Sequence, residues 1–189
     1  MPAKTRRFAP RLECLDARDL PSVSYDLQGT LLFVHGDVTA ADTITITDNG
    51  TATGVSVTGG GGHDWAAGAV ISHVFVDTQG GADTVTYNLT APLSVNRLVD
   101  VSLGAGNDVY VANISNTTLA PFVNLDLSVK ADGGKDSMTL NAQNVSTTTG
   151  SILNVDFAGQ AGKDTMAFNY SIGVSGEFGQ VIFTKDQKH

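Results

Sequence analysis

The chain has 189 residues, of which 41% are hydrophobic and 16% are charged. This composition excludes a disordered protein and allows one domain with its own core. The formal net charge of −8 would repel a phosphate backbone, so we do not expect nucleic acid as a partner. Cys14 is the single cysteine, which excludes an internal disulfide. No run approaches the roughly 18 apolar residues of a membrane span.

Residues 1–22 are basic and contain three of the five prolines, and we expect them to form a disordered leader. The stretch RLECLDARDLPS resembles the Arg-Leu-Glu-x-Leu-Glu-Asp-Arg-x-x-Pro-Ser leader of many bacterial cell-surface and secreted repeat proteins. It departs from that pattern at residues 16–18, which read Asp-Ala-Arg. The resemblance implies a sorting segment and a location outside the cell or in the cell envelope. Residues 23–189 are then predicted to form a single β-repeat domain.

The first strand pattern lies in LLFVHGDVTAADTITITDN, residues 31–49. Apolar and polar residues alternate after a turn that contains Gly and Asp, which is typical of a half-buried strand, and the leading strand fits the repeat only if this turn carries one extra residue. The pattern places Leu32 and Val34 on the inner face before the turn, and Ile44 and Ile46 after Asp42. This segment is predicted to be a degenerate first copy of the unit that recurs downstream.

A glycine-rich insertion, VTGGGGHDWAAGAVIS at residues 57–72, separates the first copy from the others. Its most unusual group is His63, Asp64 and Trp65, which we consider as a small patch on which a sugar could stack. The alternative is a loop whose tryptophan covers one end of the core.

Four complete copies follow, marked by aspartates that lie 25, 28 and 28 residues apart. Each aspartate has a glycine two positions before it and an asparagine five positions after it. The aspartates are Asp83, Asp108, Asp136 and Asp164, the glycines Gly81, Gly106, Gly134 and Gly162, and the asparagines Asn88, Asn113, Asn141 and Asn169. Residue types fixed at two offsets in four copies indicate a repeated structural unit.

The apolar residues of each copy follow a period of two on both sides of the aspartate, so each unit is a strand, a turn and a strand with one buried face. A unit with one buried face needs neighbours. We therefore predict an all-β fold, a short parallel β-helix of about four to five coils. Stacking of the coils would place the asparagines side by side, where they can form a hydrogen-bonded ladder. Residues 92–96 or 150–155 offer a third short strand. The alternative is an antiparallel β-sandwich of hairpin repeats.

Calcium is the candidate cofactor. LGAGNDVYV, residues 103–111, resembles the RTX-type calcium-binding nonapeptide G-G-x-G-x-D-x-U-x, with Leu103 in place of the first glycine. The resemblance implies metal ligation by aspartates, and calcium takes six to eight oxygens. The candidate ligands are Asp83, Asp108, Asp132, Asp136 and Asp164. The alternative is that each aspartate caps its turn by accepting backbone N–H groups and the glycine permits a left-handed φ.

We predict no enzymatic activity and no catalytic residues. Glutamate occurs only at positions 13 and 177, and no nucleophile elbow, P-loop or zinc-protease motif occurs. The sequence favours a structural or adhesive β-solenoid module of an exported or cell-surface bacterial protein. A weak calcium-binding module is the first alternative, and a carbohydrate-binding or carbohydrate-degrading β-helix the second. The expected partners are cell-envelope components, polysaccharide or other copies of repeat proteins.

Overall fold

The computed structural model describes residues 23–59, 64–174 and 180–186. The leader and His63 lie outside these residues. The regular elements of the described residues are strands, and they include no helix long and apolar enough to cross a bilayer. In chain order the strands are β1 (Ser24–Gln28), β2 (Leu31–His35), β3 (Thr43–Asp48), β4 (Val55–Thr58), β5 (Asp64–Trp65), β6 (His73–Asp77), β7 (Gly80–Gly81), β8 (Thr84–Leu89), β9 (Arg97–Ser102), β10 (Ala105–Gly106), β11 (Val109–Asn113), β12 (Thr118–Leu119), β13 (Asn124–Lys130), β14 (Gly133–Gly134), β15 (Ser137–Thr147), β16 (Ile152–Ala158), β17 (Ala161–Gly162), β18 (Thr165–Val174) and β19 (Gln180–Asp186).

The strands form three sheets that run along one axis. Sheet A has the order β1-β2-β6-β9-β13-β16-β19, and sheet B has the order β12-β15-β11-β8-β3-β4-β5 with β18 also paired to β15. The turn sheet has the order β17-β14-β10-β7. Each repeat passes from sheet A through the turn sheet into sheet B, and repeats pair in parallel. The protein is therefore a β-solenoid of about four turns.

The strand registers confirm the repeat alignment residue by residue. Equivalent positions of successive copies lie beside one another in both sheets. The inner column of sheet A contains Leu32, Val74, Val99, Leu127 and Val155, and that of sheet B contains Ile44, Val85, Tyr110, Met138 and Met166. Burying these apolar side chains stabilises the fold by about 1.5–3 kcal/mol for each large one.

The alternative of a sandwich of hairpin repeats is wrong for these units. The strands on either side of Gly106, β9 and β11, pair with strands of neighbouring coils in different sheets. The turn itself is a parallel rung, because Ala105 and Gly106 pair with Gly133 and Gly134 of the next coil. A backbone that pairs along the axis within the turn cannot fold back on its own coil.

The two spacer segments behave differently from each other. Leu93, in residues 92–96, forms a single parallel bridge with Leu119, so this spacer does supply a third contact between coils. The prediction of a third strand at residues 150–155 is wrong, because residues 152–155 belong to β16 in sheet A. Leu153 and Val155 extend the inner columns of Leu125 and Leu127, and this burial favours a longer strand of sheet A.

Antiparallel strands close the first coil on both sheets. β1 pairs antiparallel with β2, and β4 and β5 extend sheet B antiparallel beyond β3. The glycine-rich insertion therefore contributes part of a cap. At the other end, β19 pairs in parallel with β16. It continues the rungs of sheet A.

The repeated glycine is required by the close approach of successive coils. A Cβ atom added to Gly106 would lie less than 3.0 Å from the carbonyl oxygen of Gly81 in the preceding coil, and one added to Gly134 would meet the carbonyl of Gly106 in the same way. Gly134 also has a φ of +154°, which residues with a side chain rarely adopt. Backbone packing between coils thus requires glycine at this position of each copy.

The two adjacent glycines of β14 give a test of this packing. We expect Gly134→Ala to lower the free energy of unfolding by about 2–5 kcal/mol, because the new methyl group meets a backbone carbonyl that cannot move aside. Urea denaturation followed by circular dichroism measures the change.

Gly133→Ala is the matched control. A Cβ at Gly133 meets nothing within 4 Å, and the equivalent positions of neighbouring coils are already Ala105 and Ala161. This variant should lie within about 0.5 kcal/mol of the natural protein. Equal losses in the two variants would contradict the packing explanation.

Candidate functional site

The five turn aspartates form one hydrogen-bonded column along the solenoid, here called the aspartate ladder. In each step the backbone N–H of one aspartate donates to Oδ1 of the aspartate in the next coil. The four steps are Asp42 to Asp83, Asp83 to Asp108 and Asp108 to Asp136, each at 2.8 Å, and Asp136 to Asp164 at 3.0 Å. Each side chain therefore connects two coils at a point where the chain turns.

The ladder differs from the turn cap that the sequence suggested. Asp108 accepts the N–H of Asp83, which lies 25 residues earlier, and a local cap would accept an N–H of its own turn. Asp37 shows the local arrangement, because its Oδ1 accepts the N–H of Thr39 at 2.7 Å. The ladder arises because parallel stacking brings the next carboxylate beneath each turn N–H, and this axial contact is absent from a single turn viewed alone.

Burial makes the carboxylates of the ladder unusual acids. Asp83 and Asp108 are 1% exposed and Asp136 is 2% exposed. Burial raises the pKa of Asp108 to about 6; the N–H of Asp83 opposes this shift, and the carboxylates of Asp83 and Asp136 add to it. Among the described residues, Oδ2 of Asp108 has no hydrogen-bond partner. The column therefore concentrates negative charge in a place where ionisation is unfavourable.

The structure brings four of the five predicted metal ligands together. Asp83, Asp108, Asp136 and Asp164 stand in the ladder, whereas Asp132 lies in the turn beside it and accepts a hydrogen bond from Ser102 Oγ at 2.9 Å. In the described part of the chain, no group of three or more His, Cys, Asp or Glu side chains has an arrangement that could hold a metal ion. Calcium binding by the ladder remains a prediction.

The predicted asparagine ladder is confirmed. The amide nitrogen of each asparagine donates to the amide oxygen of its neighbour in the preceding coil. The bonds run from Asn113 to Asn88 at 2.8 Å, from Asn141 to Asn113 at 2.9 Å and from Asn169 to Asn141 at 3.0 Å. A second pair joins Asn144 to Asn116 at 3.0 Å. These bonds fix the register of the coils on sheet B, and they use the amide groups that a ligand would otherwise contact.

A buried ion pair that sequence reasoning missed lies inside the solenoid. Arg97 Nε donates to Asp48 Oδ2 at 2.6 Å, and neither side chain is exposed. Tyr87 also donates to Asp48 Oδ2, at 3.1 Å, and burial raises the pKa of this tyrosine well above its usual value. The period of two contained the signal, because Arg97 precedes Val99 by two positions and Asp48 follows Ile46 by two. Removing one partner of such a pair leaves an uncompensated buried charge and destabilises a fold by about 3–5 kcal/mol.

The predicted sugar-stacking patch is only partly described. Asp64 and Trp65 form β5, the outermost strand of the cap on sheet B. Trp65 is half-buried and packs against the core, and its Nε1 is buried. His63 lies outside the described residues. The tryptophan thus covers one end of the core, as in the second of the two interpretations of the insertion.

Sequence reasoning also missed a groove on the outer face of sheet A. It has a volume of about 440 Å³, and its lining includes Phe75, Asp100, Ser128, Lys130 and Gln160. These residues come from β6, β9, β13 and the turn after β16, so only the stacking of coils brings them together. Phe75, Asp100 and Ser128 occupy equivalent positions of successive copies, but the residue type differs at each, so the shared residues of the repeat gave no signal for the groove.

Comparison with known proteins found no matching family model, no similar curated protein and no similar solved structure.

The aspartate ladder predicts an unusual dependence of stability on pH. The folded-state pKa of Asp108 lies above that of the unfolded chain, so the folded protein holds more protons between these values and loses stability as the pH rises through them. We expect the melting temperature to fall as the pH rises from about 4 to about 6. Asp108→Asn should reduce this fall, because it keeps the acceptor for the N–H of Asp83 and removes the buried charge.

Asp108→Ala is the control for the hydrogen bond. It leaves the N–H of Asp83 without its acceptor and should lose about 1–3 kcal/mol at both pH values. Scanning calorimetry of the two variants and the natural protein measures both effects. If Asp108→Asn were as damaging at neutral pH as Asp108→Ala, the charge itself would be required, and the explanation of the ladder as a set of hydrogen-bond acceptors would be wrong.

Proposed function

We propose that this chain is a non-enzymatic structural or adhesive β-solenoid module of an exported or cell-surface bacterial protein. The observation that carries the proposal is the use made of the repeated residues. The glycines admit the carbonyls of neighbouring coils, the aspartates accept turn N–H groups, and the asparagines bond to one another. Each recurring residue type therefore contributes to the contact between coils, and the repeat can be explained without a catalytic role for these residues.

Burial of the ladder supports the non-enzymatic part of the proposal. A general acid or base must come within hydrogen-bond reach of the proton that it transfers. Asp83, Asp108 and Asp136 are 1–2% exposed, so a polysaccharide cannot reach these three carboxylates. What remains accessible to a partner is the outer surface of the sheets, which suits a scaffold or an adhesive surface.

Export is proposed from the leader. The leader resembles those of bacterial surface and secreted repeat proteins, and this supports the proposal. Residues 23–189 contain no cysteine, so an oxidising compartment would form no disulfides in them. The proposed partners are cell-envelope components, polysaccharide or other copies of repeat proteins.

A weak calcium-binding module is the second candidate, favoured by one observation. Oδ2 of Asp108 lacks a hydrogen-bond partner among the described residues, and a cation would satisfy it. Against this, Oδ1 of the same residue already accepts a backbone N–H, and calcium needs six to eight oxygens.

Thermal denaturation in EDTA and in millimolar calcium separates the two candidates. We expect equal melting temperatures, because backbone N–H groups already occupy the ladder. A site at 100 times its Kd would add about 2.7 kcal/mol, which is about 5–10 °C for a chain of this size. Magnesium at the same concentration is the control. A rise specific to calcium that Asp108→Asn abolishes would favour the calcium-binding module.

Antibody labelling of intact cells tests the location. In the bacterium that produces the protein, we expect antibodies against residues 23–189 to label cells that have not been permeabilised, or to detect the protein in the culture medium. A cytoplasmic protein of the same cells is the control for leakage. Labelling that requires permeabilisation, with no protein in the medium, would contradict export.

A further inference from the structure

The groove on the outer face of sheet A has the features of a ligand site, and its volume of about 440 Å³ lies within the range usual for small-ligand sites. We propose that it binds neutral sugar units of a polysaccharide. This inference deepens the proposed adhesive function, rests on it, and names the class of ligand.

An aromatic ring that packs against a neighbouring ring lines one side of the groove. Phe75 lies edge-on to Phe33, with 5.7 Å between ring centroids and 68° between ring planes. Phe33 in turn stacks on His35 at 5.9 Å. The face of an aromatic ring carries partial negative charge, and the C–H groups of a sugar ring carry partial positive charge. Because Phe75 is already held by its neighbours, little side-chain entropy would be lost on binding.

Two carboxylates in the groove are held in place by neighbouring side chains. His73 Nε2 lies 2.8 Å from Asp100 Oδ2, and Ser102 Oγ donates to Asp132 Oδ2 at 2.9 Å. A carboxylate has two oxygens, and each of these bonds involves only one of them. Asp100 and Asp132 are therefore oriented acceptors, as the hydroxyl groups of a sugar require.

Donors from the next two coils complete the lining. Ser128 and Lys130 come from β13, and Gln160 comes from the turn after β16. Acceptors, donors and an aromatic ring thus meet in one groove. A sugar hydroxyl both donates and accepts hydrogen bonds, so a polyol ring suits this mixture better than a purely apolar ligand does.

The charge around the groove selects a neutral sugar. Asp77, Asp126 and Asp156 lie on the same outer face as Asp100, in β6, β13 and β16. Lys130 is the one lysine or arginine in the lining. The local field is negative, and it would repel uronates, sulfated glycans and phosphates.

Calorimetric titration with neutral and acidic oligosaccharides tests the proposal. The probes are cellohexaose, maltohexaose and mannohexaose as neutral chains, and hexagalacturonate as the acidic chain. We expect at least one neutral chain to bind the full-length protein with a Kd of about 1 mM or tighter, and the acidic chain to bind at least about tenfold more weakly.

Variants locate the binding in the groove. Ser128→Tyr fills it with a side chain that strands favour, and it should weaken binding by at least about tenfold. Phe75→Leu keeps an apolar side chain but removes the ring, and it should weaken binding in the same direction. Thr139→Tyr makes the matching change on the outer face of sheet B and should leave affinity unchanged. Equal melting temperatures establish that the variants are folded.

The results separate this site from the broader function. No binding of the three neutral chains at about 10 mM, unchanged affinity in folded Ser128→Tyr, or preference for hexagalacturonate would each overturn the sugar site, while export would still be judged by antibody labelling. Mass spectrometry of the titrated oligosaccharides detects cleavage. Cleavage that Ser128→Tyr abolishes would support the sugar site and overturn the non-enzymatic function.

Discussion

The fold depends on one hydrogen bond that repeats along its axis. A turn in a stacked coil leaves a backbone N–H pointing toward the neighbouring coil, and a buried N–H without a partner destabilises the fold by about 1–3 kcal/mol. Here Oδ1 of the next aspartate accepts it, as between Asp83 and Asp108. The acceptor must be short and must sit at the turn itself, which aspartate satisfies. The same contact brings coils so close that Gly106 and Gly134 cannot carry a side chain.

This arrangement places like charges in a buried column. The ladder is favourable as a set of acceptors and unfavourable as a set of ions, and the raised pKa of Asp108 expresses that conflict. Asparagine avoids the conflict, because its amide both donates and accepts, and the column from Asn88 to Asn169 uses this property. Both ladders thus join neighbouring coils, the first through backbone N–H groups and carboxylates and the second through side-chain amides. The features suited to a ligand lie elsewhere, in residues such as Phe75 and Lys130 that the repeat does not share.

Much of the fold could be predicted from the sequence, and less of the candidate site. The period of two identified the inner faces, and the offsets of glycine, aspartate and asparagine identified the repeat. The partner of each aspartate could not be predicted, because the N–H bonded to Asp108 belongs to another coil. The pair of Asp48 and Arg97 obeyed the same period of two, yet an arginine on an inner face contradicts the usual burial preference. The groove arises from side chains that only stacking brings together.

Amide hydrogen exchange of the ladder aspartates tests the central claim most directly. If the axial bonds hold the coils together, the amides of Asp83 and Asp108 should exchange as slowly as core amides of sheet A such as that of Val99, because opening them requires separation of the coils. The amide of Val38, a residue that is 67% exposed, provides the fast reference within the same chain. Exchange of Asp83 and Asp108 at the rate of Val38, with sheet A still protected, would contradict the account.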